Sequence, residues 1–203
     1  MASYIWDLDG TLLDSYPVMV AAALKAAADA GIRDPEEAVL QAMKRGTTFS
    51  YLGNVAERSG IPFKALRENY RTYTHQMDDR IPLMDGAEET LARLRADGAT
   101  HDVFTHRGTS SEPILERLGI LCYFREIVTG KAGFAAKPSG EAIRYLVRKY
   151  GLRPEETWYV GDRALDVLCA KDAGVRAVLL LPDDSCVVPT GQEDRIVRSL
   201  REI

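Results

Sequence analysis

The sequence predicts an α/β protein built on a parallel sheet, and two observations lead to that class. Short apolar runs rich in β-branched and aromatic residues alternate with longer helical patterns, several of which end at glycine. The runs are almost continuously apolar, as expected of strands that helices bury on both faces. Residues 15–82 depart from this alternation because they carry only helical patterns. We therefore expect one sheet flanked by helices, with an all-helical insert after its first strand.

The apolar runs predict five strands, at residues 3–6, 101–105, 126–129, 157–161 and 176–181. Helices are predicted between them at residues 87–97, 112–118, 141–150 and 164–173. A glycine follows each of the last three helices, which is the usual residue just beyond a helix C-terminus. The polar stretch at residues 189–203 is interpreted as a final helix.

The insert is predicted to contain four helices, in the stretches at residues 14–31, 34–46, 49–58 and 63–77. In the second stretch, Asp34 is the expected N-cap and Pro35 the expected first helical residue. The predicted organisation is a core of residues 1–14 and 83–203 and a helical domain of residues 15–82.

Composition narrows the class of protein and its partners. A net charge of -4 over 203 residues gives no basic surface for nucleic acid. The most apolar stretch, "VMVAAALKAAADAG", is charged and too short to span a membrane, and the N-terminus lacks a secretory signal. Three cysteines without metal-ligand spacing predict reduced thiols. We expect a cytoplasmic protein that binds neither membrane nor nucleic acid.

Charged residues follow three of the predicted strands, and ligands of open parallel sheets bind beyond such strand ends. In a strand, the carboxylates of Asp7 and Asp9 would point to the same side, so either a cation lies beside them or one of the two stays protonated. Alone, each motif is compatible with turn or helix-capping chemistry. Together they predict carboxylates, a hydroxyl and an ammonium at one sheet edge, in the segments "DLD" (7–9), "THR" (105–107), Lys137 at a helix entry and "GDRALD" (161–166).

In this order, "DLDGT", "FTH", "KP" and "GDRALD" resemble the four motifs of the haloacid dehalogenase superfamily, a family of mostly Mg²⁺-dependent phosphatases. The resemblance covers the whole chain, because the helical insert is similar to the family's type 1 cap. It implies a Rossmann-like parallel core, Mg²⁺ as cofactor and a small phosphorylated metabolite as substrate.

The resemblance also implies roles for the carboxylates. Asp7 would be the nucleophile that forms an aspartyl-phosphate, and Asp9 the acid that protonates the leaving group and later activates water. Asp7 and Asp162 would bind the metal through their side chains, and Asp9 through its backbone carbonyl. Asp166 would orient metal-bound water or Lys137.

The phosphoryl group is expected to bind Thr105, the backbone N–H of His106 and Lys137. His106 and Arg107 depart from the commoner residues after the hydroxyl, so the His106 side chain is either a substrate contact or a loop histidine without a chemical role. Lys44 and Arg45, at the end of a helix in the insert, either grip an anionic substrate or are solvated helix-end cations.

The predicted function is hydrolysis of small phosphomonoesters, in a subfamily similar to phosphoglycolate phosphatases and β-phosphoglucomutases. A sugar-phosphate mutase is the alternative that the motifs separate least well. A non-hydrolytic phosphoacceptor switch would gain nothing from Asp9 or a substrate lid, so these features disfavour it. Dehalogenation is also disfavoured, because Asp9 and the acids of "GDRALD" suit phosphoryl chemistry.

Overall fold

In the computed structural model, which describes residues 1–203, six parallel strands form the central sheet. Their order is β3-β2-β1-β4-β5-β6, and each neighbouring pair is parallel. Strand order therefore reverses between β1 and β4, where open parallel sheets bind ligands. The strands are β1 (Ser3–Trp6), β2 (Thr100–Phe104), β3 (Phe124–Val128), β4 (Thr157–Gly161), β5 (Arg176–Leu180) and β6 (Arg195–Val197).

The chain divides into two compact units, one formed by Met1–Asp14 with Pro82–Ile203 and the other by Ser15–Ile81. The second unit is helical, and its core includes Ala23, Leu52 and Leu66. Its helices are α1 (Tyr16–Asp29), α2 (Glu36–Arg45), α3 (Thr48–Ser59) and α4 (Phe63–His75).

The helices of the first unit follow its strands in alternation. Ile143 and Leu146 of one helix and Val167 of the next pack in a buried cluster with Ile5 and Tyr159 of the sheet. Strands that helices cover need apolar side chains on the covered faces, which explains the almost continuously apolar runs in the sequence. The helices are α5 (Ala87–Ala96), α6 (Ser111–Arg117), α7 (Glu141–Tyr150) and α8 (Ala164–Ala173).

The predicted C-terminal helix is wrong. Strand β6 takes its place, with Leu181 N–H donating to the Val197 carbonyl at 2.8 Å, and a short 3₁₀ turn follows at Leu200–Glu202. Upstream, the Glu193 carboxylate accepts the N–H of Thr190 at 2.6 Å and that of Gly191 at 2.9 Å, in a turn that leads directly into β6. The polar residues therefore belong to a turn that precedes an edge strand.

Two smaller expectations also fail. Asp34 does not cap α2, which begins at Glu36, because the Asp34 carboxylate accepts hydrogen bonds from Arg58 at 2.9 Å and from Tyr51 at 3.0 Å. Lys137 does not open a helix, because α7 starts at Glu141. Lys137 lies instead in the loop between β3 and α7.

A buried histidine links β1 and β2. His101 Nδ1 accepts a hydrogen bond from the Trp6 indole N–H at 3.1 Å, and the His101 side chain is buried. Burial, together with the nearby cations of Arg95 and Arg125, lowers the pKa of His101 from 6.5 to about 4. The neutral ring is therefore the form that the folded core accommodates.

We expect acid to destabilise the fold through His101. In the unfolded chain His101 takes up a proton near pH 6.5, whereas the folded chain does so only near pH 4, so stability falls as the pH drops between these values. The full shift in the pKa of His101 is worth about 3 kcal/mol in the free energy of unfolding.

Urea unfolding at pH 7 and pH 5 measures this loss of stability. His101→Asn, which keeps an acceptor near Nδ1 but does not titrate, should lose about 2 kcal/mol less than wild type between these values. An equal loss in both proteins would contradict the assignment.

Candidate active site

Three neighbouring strands, β2, β1 and β4, deliver the side chains of the candidate site from their carboxyl ends. Asp7 follows β1 directly, and its N–H donates to the Val160 carbonyl at 2.9 Å. Thr105 follows β2, and its N–H donates to the Val128 carbonyl at 3.0 Å. Because the sheet hydrogen bonds continue one residue past these two strands, Asp7 and Thr105 have a rigid backbone. Asp162 comes directly after β4.

One buried ammonium lies between two buried carboxylates. Lys137 Nζ is 2.9 Å from Asp7 Oδ1 and 2.8 Å from Asp166 Oδ1, and all three side chains are at most 2% exposed. The ammonium also lies 5.3 Å from the centre of the Phe104 ring and 5.2 Å from that of Tyr159. A fixed cation among aromatic rings is shielded from water, so its charge acts strongly on what binds beside it.

The two carboxylates differ in their titration. Burial raises the pKa of Asp7, and the cation of Lys137 opposes this effect without cancelling it. Burial would also raise the pKa of Asp166, but Lys137 and Arg163 outweigh it and the pKa is lowered. Burial would lower the pKa of Lys137, and Asp166 and Asp7 reverse that direction. Lys137 therefore favours the charged form of Asp166 more than that of Asp7, and a further cation beside Asp7 would favour its charged form as well.

The carboxylates suit a divalent cation. Oxygen atoms of Asp7, Asp162 and Asp166 lie within 4.8 Å of one another, and all three residues are buried. Asp7 Oδ2 is buried and accepts no hydrogen bond, and Arg163 Nη2 lies 3.9 Å away from it. A hard cation such as Mg²⁺ takes oxygen ligands of this kind, so the donor set fits the expected cofactor.

The segment after β4 owes its shape to Gly161. A Cβ at this position would come within 2.4 Å of the Asp166 side chain, so only glycine allows the carboxylate to fold back against the strand end. There Asp166 Oδ2 accepts the Arg163 N–H at 3.1 Å, at the start of α8. Asp166 is thereby held against the Lys137 ammonium at 2.8 Å, and its chemical role there stays a prediction.

The Asp9 carboxylate is not part of the acidic cluster. Its Oδ1 accepts hydrogen bonds from Arg107 Nε at 3.0 Å and from Arg107 Nη2 at 2.6 Å. Arg107 Nη1 also donates to the Ser110 hydroxyl at 3.3 Å. Asp9 and Asp7 therefore lie beside different cations, Asp9 beside the Arg107 guanidinium and Asp7 beside the Lys137 ammonium.

The segment 105–107 carries three different contacts. Thr105 is buried, and its hydroxyl oxygen accepts the Arg107 N–H at 3.1 Å. The His106 ring accepts the Lys137 backbone N–H on Nε2 at 2.8 Å. The sequence singles out Thr105 and Lys137, but it does not predict that Arg107 pairs with Asp9 or that His106 touches the Lys137 backbone. The only sequence feature that could have indicated the pair with Asp9 is the cation Arg107, two residues after the hydroxyl of Thr105 at the strand end.

Lys44 and Arg45 end α2 in the helical unit. Lys44 Nζ lies 4.9 Å from the centre of the Tyr16 ring, so this cation has an aromatic partner within the same unit. Arg45 is exposed.

The fold and the strand-end motifs define a hydrolase of the haloacid dehalogenase type. The chain matches the family of haloacid dehalogenase-like hydrolases over residues 4–180, and it belongs to that family. Its curated relatives place it among the phosphoric monoester hydrolases.

Two of these relatives show the extent of the similarity. The phosphoglycolate phosphatase of Vibrio parahaemolyticus is 30% identical over 179 residues, which cover 83% of this chain and 78% of the relative. Phosphoglycolate phosphatase 1 of Pseudomonas aeruginosa is 31% identical over 185 residues, covering 87% of this chain and 68% of the relative.

The fold is likewise shared with solved structures. The crystal structure of a predicted phosphoglycolate phosphatase from Haemophilus somnus aligns with a TM-score of 0.86 at 25% identity, covering 100% of this chain and 96% of that one. The predicted α/β class, with a Rossmann-like parallel sheet and a helical insert, is therefore confirmed. None of the helices has the length and apolar character needed to cross a bilayer.

Proposed function

We propose that this protein is an Mg²⁺-dependent phosphatase that hydrolyses a small phosphomonoester through an aspartyl-phosphate on Asp7. The observation that carries the proposal is the buried ammonium of Lys137 between Asp7 and Asp166. A phosphoryl group brings negative charge, and a fixed buried cation stabilises that charge as it moves to Asp7. The phosphoglycolate phosphatases among the relatives support a small anionic substrate.

In the first step the Asp7 carboxylate attacks phosphorus, the bond from phosphorus to the alkoxide oxygen breaks, and Asp9 gives the alkoxide a proton. In the second step Asp9 takes a proton from water, which attacks the aspartyl-phosphate and releases inorganic phosphate. The two hydrogen bonds from Arg107 position the Asp9 side chain, which enters the first step protonated and regains that proton from water in the second.

The phosphoryl oxygens would bind the Thr105 hydroxyl, the His106 N–H and Lys137. The Thr105 oxygen already accepts the Arg107 N–H, so its own proton remains available to donate. Thr105 is buried and its backbone is part of the extended sheet. These donors are therefore set before substrate arrives, which is what phosphoryl transfer requires of a protein.

Asp7 and Asp162 would hold Mg²⁺ through their carboxylates and Asp9 through its backbone carbonyl. The metal, when bound, supplies positive charge next to the phosphoryl oxygens. Asp166 acts on Lys137 in this scheme, as its 2.8 Å contact with the ammonium supports.

We also propose that residues 15–82, whose helices form the unit Ser15–Ile81, act as a cap that restricts the site to small molecules. The core would then consist of residues 1–14 and 83–203.

A phosphate-release screen tests the function. The full chain is incubated with 2-phosphoglycolate, sugar phosphates, nucleoside monophosphates and an aryl phosphate, with Mg²⁺ or with EDTA. Release of phosphate from at least one small monoester, abolished by EDTA, is expected. Conversion of a sugar 1-phosphate to the 6-phosphate without net phosphate release would indicate a mutase instead, and no turnover of any compound would refute the proposal.

The cations of α2 give a separate prediction. If Lys44 or Arg45 binds a second anionic group on the substrate, Lys44→Ala or Arg45→Ala should lower kcat/KM about tenfold to a hundredfold on a substrate with a carboxylate. An aryl phosphate without that group should be affected little. Steady-state kinetics of both variants on both compounds measure the difference. Parallel losses on the two compounds would assign these cations to stability.

A further inference from the structure

We propose that the side chain of His106 is a positioning residue that fixes the backbone at Lys137 and so places the ammonium between Asp7 and Asp166. The proposal rests on the proposed function, because it gives His106 a part in the same reaction. It is a different role from the backbone N–H contact with phosphate and from a contact with the substrate's leaving group.

The contact itself joins two distant segments. The His106 ring accepts the N–H of Lys137 on Nε2 at 2.8 Å across 31 residues of chain. Lys137 is followed by Pro138, which has no N–H to donate. The loop before it, residues 130–136, is mostly exposed, although Phe134 packs on Tyr145 with ring centres 5.0 Å apart. The imidazole is thus an anchor at the point where an exposed loop delivers a buried ammonium.

The start of the same loop also lies against His106. A Cβ at Gly130 would be 2.7 Å from the His106 carbonyl oxygen, and the Gly130 N–H donates to the Arg107 carbonyl at 3.0 Å. Both ends of the loop 130–137 therefore touch the segment that follows β2. Thr105 directly precedes His106 in the chain. His106 therefore fixes the position of the Lys137 ammonium relative to the Thr105 hydroxyl proposed to bind phosphate.

The hydrogen bond requires a neutral ring with its proton on Nδ1, since a protonated imidazole has no acceptor. Partial burial and the cations of Lys137 and Arg163 lower the pKa of His106, and they outweigh the carboxylates of Asp166 and Asp9. The Phe104 ring meets the imidazole edge-on, with ring centres 6.3 Å apart. Near neutral pH the acceptor is therefore present.

The test compares two replacements of the same side chain. His106→Leu fills similar space without an acceptor, whereas the side-chain oxygen of His106→Gln reaches about the position of Nε2. Two quantities are measured in the full-length protein: kcat/KM with Mg²⁺ on an aryl phosphate, and the hydrogen-exchange rate of the Lys137 backbone amide by NMR. The second reports the contact even in a protein without turnover.

We expect His106→Leu to lower kcat/KM about tenfold to a hundredfold, the size of effect that a misplaced charged group produces. It should also speed exchange of the Lys137 amide. His106→Gln should restore both quantities to within about threefold of wild type, which a loss of general stability would not do.

The outcomes separate the two proposals. An unchanged kcat/KM in His106→Leu, or a His106→Gln variant as impaired as His106→Leu, would overturn the positioning role. A wild-type protein that turns over none of the phosphomonoesters would overturn the proposed function. The exchange measurement still tests the contact in that case. If the Lys137 amide exchanged equally fast in wild type, His106→Leu and His106→Gln, the hydrogen bond from Lys137 to His106 would be refuted as well.

Discussion

Replacing Asp7 with asparagine is expected to lower the rate of phosphate release by a factor of at least about 10²–10³, the loss seen when a single stabilising donor is removed from an active site. Asparagine keeps the shape of the side chain but cannot attack phosphorus, and it removes one ligand of the proposed metal site. The ammonium of Lys137 would retain Asp166 as its partner at 2.8 Å. Phosphate release with saturating Mg²⁺ measures the effect.

The fold should survive this change, because burial already disfavours the charged form of Asp7 and raises its pKa. Far-UV circular dichroism and Tm are the checks. Asp183→Asn provides a matched control, since the Asp183 side chain is 89% exposed and pairs with Arg198 at the surface. An Asp7→Asn protein with near-wild-type turnover would end the covalent mechanism.

Asp9→Asn is expected to abolish turnover in a different way. The variant can neither protonate the leaving alkoxide nor take a proton from water, and general acid–base catalysis contributes about 10²–10⁴-fold. An activated aryl phosphate needs little acid in the first step. We therefore expect a stoichiometric burst of the aryl alcohol followed by slow hydrolysis, observed by stopped-flow absorbance.

Metal affinity is the control for Asp9→Asn. The proposed metal contact of Asp9 uses its backbone, and the Asp9 carboxylate faces Arg107 rather than the acidic cluster. Calorimetric titration with Mg²⁺ should therefore give similar affinities for the variant and the wild type. A large loss of Mg²⁺ binding would make Asp9 a side-chain metal ligand instead of the acid and base.

Local pattern predicted most of the core well. The first and fourth strands, at residues 3–6 and 157–161, and the helices at residues 141–150 and 164–173 have the predicted bounds. In each case an apolar run or helical pattern ends at a glycine or a charged residue, so the boundary is encoded within a few residues. The second strand starts and ends one residue earlier than predicted, which leaves Thr105 just beyond it.

The errors arose where a distant partner decides the local structure. Strand β6 has only three residues, and its pairing with β5 makes it a strand. Asp34 has the composition of an N-cap, but Arg58 competes for its carboxylate from 24 residues away. Such contacts leave no trace in a window of sequence.

The same limit applies to the candidate site. The motifs gave Asp7, Lys137 and Asp166, which the structure brings together. They did not give the pair of Arg107 with Asp9, because these residues lie 98 positions apart and either could have other partners. The chemical roles of all these residues stay predictions until the variants are measured.

The way the chain leaves and re-enters the sheet-containing unit has a consequence for how such proteins diversify. The Asp14 N–H donates to the Pro82 carbonyl at 3.1 Å, and the Met84 N–H donates to the Leu12 carbonyl at 2.9 Å. The segment where the chain leaves this unit and the segment where it returns are thus hydrogen-bonded to each other within the unit. The length of chain between them then matters little, since doubling a flexible loop costs only about 0.6 kcal/mol in closure entropy. Changes in the intervening segment therefore need not disturb the backbone contacts that join residues 12–14 to residues 82–84. If that segment is the cap proposed above, substrate preference can change over evolution while the proposed chemistry is retained.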